Sequence, residues 1–97
     1  MFDETCIPIS SDADLVPARA QARSLALGLG FSRTDATLIA TAISEIARNI
    51  VVHAGQGEIV MTPVEDGTRT GLVVVAEDRG PGMPSSRSRV TEYPFTG

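Results

Sequence analysis

The chain of 97 residues has no tryptophan, one tyrosine and three phenylalanines, so valine, isoleucine, leucine and alanine must fill its core. A single cysteine, Cys6, rules out an intrachain disulfide and any all-cysteine metal site. Positive charge is also short. Eight Lys and Arg stand against 12 Asp and Glu, a net charge of -4, whereas non-specific nucleic-acid binding needs cations to displace counterions. Neither an arginine cluster nor an aromatic platform offsets that deficit. The start, Met1-Phe2-Asp3-Glu4, is acidic where a signal peptide has a basic segment. No run approaches the roughly eighteen apolar residues of a membrane helix. These absences point to a soluble cytoplasmic protein with neither nucleic acid nor membrane among its partners.

At 42% hydrophobic and 21% charged, the composition is that of a folded chain, and its length suits one domain over residues 1–97. Such a domain buries roughly two-thirds of its unfolded surface, so the core is modest. Residues 4–10 read as a strand, with Pro8 requiring an edge or an exposed position and Cys6 expected as a small buried hydrophobe. Ser11, Asp12 and Asp14 offer capping oxygens to a first helix over 12–29, whose regular part starts near Pro17 and which Gly28 and Gly30 end. Ser32 is the expected N-cap of a second helix, with Asp35 completing an approximate capping box. Ala36, Ile39, Ala40, Ile43, Ile46, Ala47, Ile50 and Val51 then recur at steps of three and four to about His53. Residues 58–64 form a strand, 65–70 a turn with an Asp-Gly signal, and 71–77 an apolar strand expected to be covered on both faces. After Met83 the periodic pattern is lost in a serine-rich stretch where Arg87 and Arg89 are expected to be exposed. The order strand, helix, helix, hairpin predicts an α/β sandwich of two layers with the helices on one face of the sheet.

Two stretches carry chemistry. In Ser44-Glu45-Ile46-Ala47-Arg48-Asn49-Ile50-Val51-Val52-His53-Ala54-Gly55, Glu45 and Asn49 are four apart and share a helix face that His53 extends, at the border of the apolar stripe. An amide oxygen is a neutral hard ligand suited to Mg²⁺, and a carboxylate one turn away can take a proton from an attacking hydroxyl. Spacing alone favours a solvated Glu45 and a locally bonded Asn49. Arg48 points to another face, as a solvated or partner-facing charge. In the second stretch, Glu77-Asp78-Arg79-Gly80-Pro81-Gly82-Met83, Asp78 follows an apolar strand and can accept a hydrogen bond from an exocyclic amine such as that of adenine. Gly80 and Gly82 allow a sharp turn close to a flat ligand, Pro81 stiffens it, and Met83 can pack against a ring. An ordinary loop after a strand fits Asp78 to Gly82 as well. The two stretches in this order, with a strand pair between them, favour a nucleotide site.

The first stretch resembles the N box, and Asp78-Arg79-Gly80-Pro81-Gly82 the G1 box, of the GHKL superfamily of ATPases and kinases. The wording Ser-Glu-Ile-Ala-Arg-Asn-Ile-Val-Val-His-Ala-Gly is similar to the small bacterial anti-sigma-factor serine/threonine kinases, especially the switch-kinase branch of the stressosome type. The resemblance runs from the first strand to Met83. It implies a Bergerat ATP-binding fold. Asn49 would ligate Mg²⁺ between the phosphates of ATP, and Glu45 would be the general base on a serine hydroxyl. Asp78 would bond the adenine amine, Gly80 and Gly82 would shape that end of the pocket, and Met83 would line it. His53 is implied as a helix-end residue near the phosphates or a structural one, in preference to a phosphoacceptor.

The implied substrate is a serine on a STAS-domain antagonist protein. A PP2C-type phosphatase or a sigma factor is a further partner, and a homodimer is among the implied assemblies. Residues 91–97 resemble the approach to the G2 box, with Gly97 in the place of its first glycine. On that reading the domain is C-terminally incomplete, lacking the G2 box and the helix and strand after it. Two alternatives stand beside the kinase: a non-catalytic partner-binding module with weak or no nucleotide binding, and an ATPase domain from a larger enzyme.

Overall fold

In the computed structural model, residues 4–78 and 86–93 are described. The apolar stripe at helical spacing does what its period dictates. It forms helix α2, Arg33–His53, and buries Ala36, Ile39, Ala40, Ile43, Ile46, Ala47 and Ile50. The expected cap is present, with the Ser32 hydroxyl oxygen accepting the Asp35 backbone N–H at 3.1 Å. Helix α1, Leu15–Gly28, follows a single 3-10 turn, Asp12–Asp14, so Pro17 falls within the first α-helical turn, where its missing N–H costs nothing. Ala18, Ala22 and Ala26 of α1 are fully buried, as are Ala36, Ala40 and Ala47 of α2. Side chains this small let the two helix backbones approach closely.

The strands are β1, Thr5–Ile9; β2, Gly57–Asp66; β3, Arg69–Asp78; and β4, Ser86–Tyr93. They make one antiparallel sheet in the order β1-β2-β3-β4. Pro8 lies on the edge strand β1 and is exposed, as its missing donor requires. Pro63 obeys the same rule inside β2. The β1 ladder reaches only to Met61, so Pro63 sits where β2 has become an edge. The β2–β3 hairpin closes between Asp66 and Arg69 around Gly67 and Thr68, with Gly67 at φ +65° as a mirror-image turn with glycine first requires.

Ile7, Ile9, Ile59, Met61, Leu72, Val74 and Ala76 are buried against the helices, with α2 touching β1, β2 and β3 and α1 packing on α2. This is the two-layer arrangement expected. Three expectations fail. The apolar run 71–77 is not covered on both faces: both helices lie on one side, and Val73 and Val75 on the other are half-exposed. Cys6 is exposed, because Ile7 and Ile9 take the inward positions of β1 and the two-residue period turns Cys6 outward. The stretch after Met83 does not remain irregular; Ser86–Tyr93, with Arg87 and Arg89, pairs as β4 along the open edge of β3.

Gly57 is a point of close contact between the layers. A Cβ there would overlap the Glu77 carbonyl oxygen and stand 2.9 Å from Ile50 Cγ2. Gly57→Ala should therefore cost about 1–3 kcal/mol by overpacking, a fall in Tm of at least roughly 4 °C for a domain this size. Gly28→Ala is the control: nothing lies within 4 Å of its Cβ position, so the helix end gains propensity and Tm holds or rises. Thermal unfolding of the pair checks this, and a Gly57→Ala chain as stable as wild type would refute the contact.

Candidate functional site

The site is assembled by the way α2 ends. Gly55, at φ +84°, donates its N–H to the carbonyls of Ile50 and Val51 at 3.0 and 3.2 Å and closes the last turn. Two residues later Gly57 opens β2, directly opposite Asp78, the last residue of β3. Ile50 comes down on Gly57, which is also against the Glu77 backbone. Asn49 precedes Ile50 and Asp78 follows Glu77, so the C-terminal turns of α2 and the end of β3 share one end of the domain.

Glu45, Asn49 and His53 occupy one line on α2, and all three are exposed. Glu45 does not border the buried stripe as expected. A helix turns about 100° per residue, and with Ile43, Ile46 and Ile50 facing the sheet that step carries Glu45 to the solvent side. The same step brings Asn49 and His53 back toward the edge of the buried stripe. Ser44 and Arg48 lie on the other side of Glu45; Ser44 is half-buried and Arg48 exposed. Asp78 is half-buried. Among the described residues, the side chains of Glu45, Asn49 and Asp78 form no hydrogen bond or ion pair. Gly80, Gly82 and Met83 lie outside the described residues. Gly57, which draws this end together, was not singled out in the sequence; a glycine two residues past a helix-ending glycine was its only signal.

Among the described residues, no group of three or more His, Cys, Asp or Glu could hold a metal ion alone, and no helix is long and apolar enough to cross a membrane. The chain is similar to the serine/threonine-protein kinase RsbT of Bacillus subtilis (strain 168). The two are 46% identical over 96 residues, which span 99% of this chain and 71% of that protein. No protein-family profile matches the chain. No solved structure matches it significantly.

Two titratable groups away from this end have shifted pKa values. The Asp14 carboxylate accepts from the Ser10 backbone N–H at 2.8 Å, the Ser10 hydroxyl at 3.1 Å and the Ser11 N–H at 3.1 Å. The Ser10 contacts above all hold its pKa below the usual value. A depressed carboxylate stabilises the fold above its unfolded pKa, and that contribution is lost as pH falls through the folded one. Cys6 Sγ–H donates to Glu58 Oε2 at 3.4 Å. That hydrogen bond, then slight desolvation and the charges of Glu58, Glu4 and Glu77, push the thiol pKa up. Since the thiolate is the nucleophile, exposed Cys6 should alkylate slowly at mildly alkaline pH. Glu58→Gln should speed iodoacetamide labelling and lower its pH midpoint, read by mass spectrometry; an unchanged profile would contradict the role of Glu58.

Proposed function

This chain belongs to the family of the serine/threonine-protein kinase RsbT, and on that premise we propose that it is an ATP- and Mg²⁺-dependent protein serine kinase with the Bergerat fold of the GHKL superfamily. The observation that carries the reading is the meeting of α2 and β3 at Gly57. It sets Asn49, with Glu45 one helical turn before it, on the same end as Asp78 in a chain nearly half identical to a kinase.

The donor set suits a nucleotide. Mg²⁺ takes few protein ligands and keeps phosphate and water oxygens around it, which a lone amide fits better than a carboxylate cage does. Asn49 holds the ion through its amide oxygen, with His53 one turn on toward the phosphates. Asp78 accepts the adenine amine, and to the same end we assign Gly80, Gly82 and Met83, which lie outside the described residues. ATP supplies the transferable phosphoryl group. Glu45 accepts the proton of a serine hydroxyl as its oxygen bonds to the γ-phosphorus. The bond to the β–γ bridging oxygen breaks, and ADP leaves with the electron pair. The substrate we assign is a serine on a STAS-domain antagonist protein in a cytoplasmic partner-switching pathway. The PP2C-type phosphatase or sigma factor is the partner that the switch controls.

Calorimetric titration with Mg·ATP should show binding that Asn49→Ala weakens about tenfold or more, the loss of one ligand to the ion. Equal affinity in the two chains would remove Asn49 from the site. Glu45→Ala should keep nucleotide binding and lose transfer to a STAS-domain protein by about 10²-fold or more, the range for a general base. Undiminished phosphorylation would sink that assignment. A folded wild-type chain that binds the STAS partner without turnover would favour the non-catalytic module.

A further inference from the structure

The glycine at position 57 is not explained by its own backbone. Gly30, Gly55 and Gly67 have positive φ, where a side chain is strained, and Gly57 does not. What position 57 lacks is room. A Cβ there would overlap the Glu77 carbonyl oxygen and meet Ile50 Cγ2 at 2.9 Å, whereas at Gly28, Gly55 and Gly67 nothing lies within 4 Å. Gly57 pairs with Ile9 of β1 on one side and Asp78 of β3 on the other, and Ile50, 1% exposed, closes it from above. Helix α2 is therefore seated on bare backbone at the point where the sheet carries Asp78. Among the described residues, no hydrogen bond or ion pair joins Asn49 to Asp78. The contact at Gly57 is what holds them at their distance.

That distance matters because the two anchors assigned above differ in tolerance. Asp78 takes the adenine end of ATP, and Asn49 takes the Mg²⁺ on its phosphates. A hydrogen bond from an amine spans about 2.7–3.2 Å, but Mg²⁺ demands near-ideal octahedral geometry at about 2.0–2.1 Å. Moving a Cβ at position 57 from 2.9 Å to an ordinary carbon–carbon separation of about 3.5–4.0 Å parts helix and sheet by roughly 0.6–1 Å. This is several times the latitude of about 0.2 Å in a metal–ligand distance. We propose that Gly57 and Ile50 are positioning residues of the nucleotide site. Their contact sets the span from Asp78 to Asn49, so that a nucleotide held by its adenine presents Mg²⁺ to the Asn49 amide. The inference rests on the nucleotide reading of Asn49 and Asp78. Gly57 and Ile50 act through Asn49 and need no contact with the ligand themselves.

Calorimetric titration of the full chain with ATP, once in Mg²⁺ and once in EDTA, separates the two anchors. Each variant is first checked as folded at the titration temperature. The affinity gained from Mg²⁺ should fall about tenfold in Gly57→Ala, as in Asn49→Ala, with affinity in EDTA as in wild type. In the double variant the gain should fall no further than in Asn49→Ala, since one residue acts through the other. A second pair does not depend on Gly57→Ala folding. Ile50→Leu keeps the side-chain volume and removes the Cγ2 methyl, whereas Ile50→Val keeps that branch and removes the terminal methyl. The Mg²⁺ gain should drop severalfold in Ile50→Leu and hold in Ile50→Val, whatever their Tm values. A Gly57→Ala chain with the full Mg²⁺ gain would overturn the proposal, as would equal losses with and without Mg²⁺. Losses that multiply in the double variant, or Ile50 variants whose Mg²⁺ gain follows Tm, would overturn it too. The nucleotide reading fails with its own signature, and takes the inference with it: a folded wild-type chain without any Mg²⁺ gain, or Asn49→Ala that keeps all of it.

Discussion

The close seating of Ile50 over Gly57 fixes the relation between the two layers where the chemistry is concentrated. Ile50 is essentially fully buried, and the β2 position beneath it has no room for a methyl group. Everything assigned to the site depends on this contact at one remove: Asn49 adjoins Ile50, and Asp78 adjoins Glu77 in the ladder facing Gly57. No polar interaction among the described residues holds Asn49 to Asp78. Their relation is maintained by apolar packing.

That division of labour runs the length of α2. Its sheet-facing side is isoleucine and alanine, and its solvent side carries Glu45, Arg48, Asn49 and His53. A buried, capped helix of 21 residues is a rigid rail. Residues at fixed steps along it keep their mutual geometry without contacts of their own. The relative orientation of Glu45 and Asn49 is therefore a property of helical pitch rather than of loops.

Much of the fold was legible because local and global signals agree. The Ser32 cap, the isoleucine stripe and the glycines after His53 mark both ends of α2, and the strand–helix–helix–hairpin order gives the two layers. Cys6 was legible too, had the period of β1 been followed. Ile7 and Ile9 cannot both face the core unless Cys6 and Pro8 face out. β4 was not legible. Ser-Arg-Ser-Arg carries no apolar alternation, and what makes it a strand is the free ladder edge of β3, a tertiary fact. Of the site, the four-residue spacing and the strand-end aspartate could be read directly. The outward direction of Glu45 follows from the isoleucine stripe and the step of about 100° per residue; the need for Gly57 could not be read, since it depends on where the sheet meets the helix.

The placement of β1 also has a bearing on how the molecule acquires its shape. The β2–β3 hairpin closes across two residues, and the helices form from contacts near in sequence. Ile9 and Thr5, by contrast, must find Gly57 and Met61 across the whole helical pair. Loop closure over such a span is entropically costly and slows the step that requires it. β1 is therefore the last of β1, β2 and β3 to join and, as a short edge containing a proline, the first of them to open to amide exchange. With respect to β2 and β3, β1 holds a latch position.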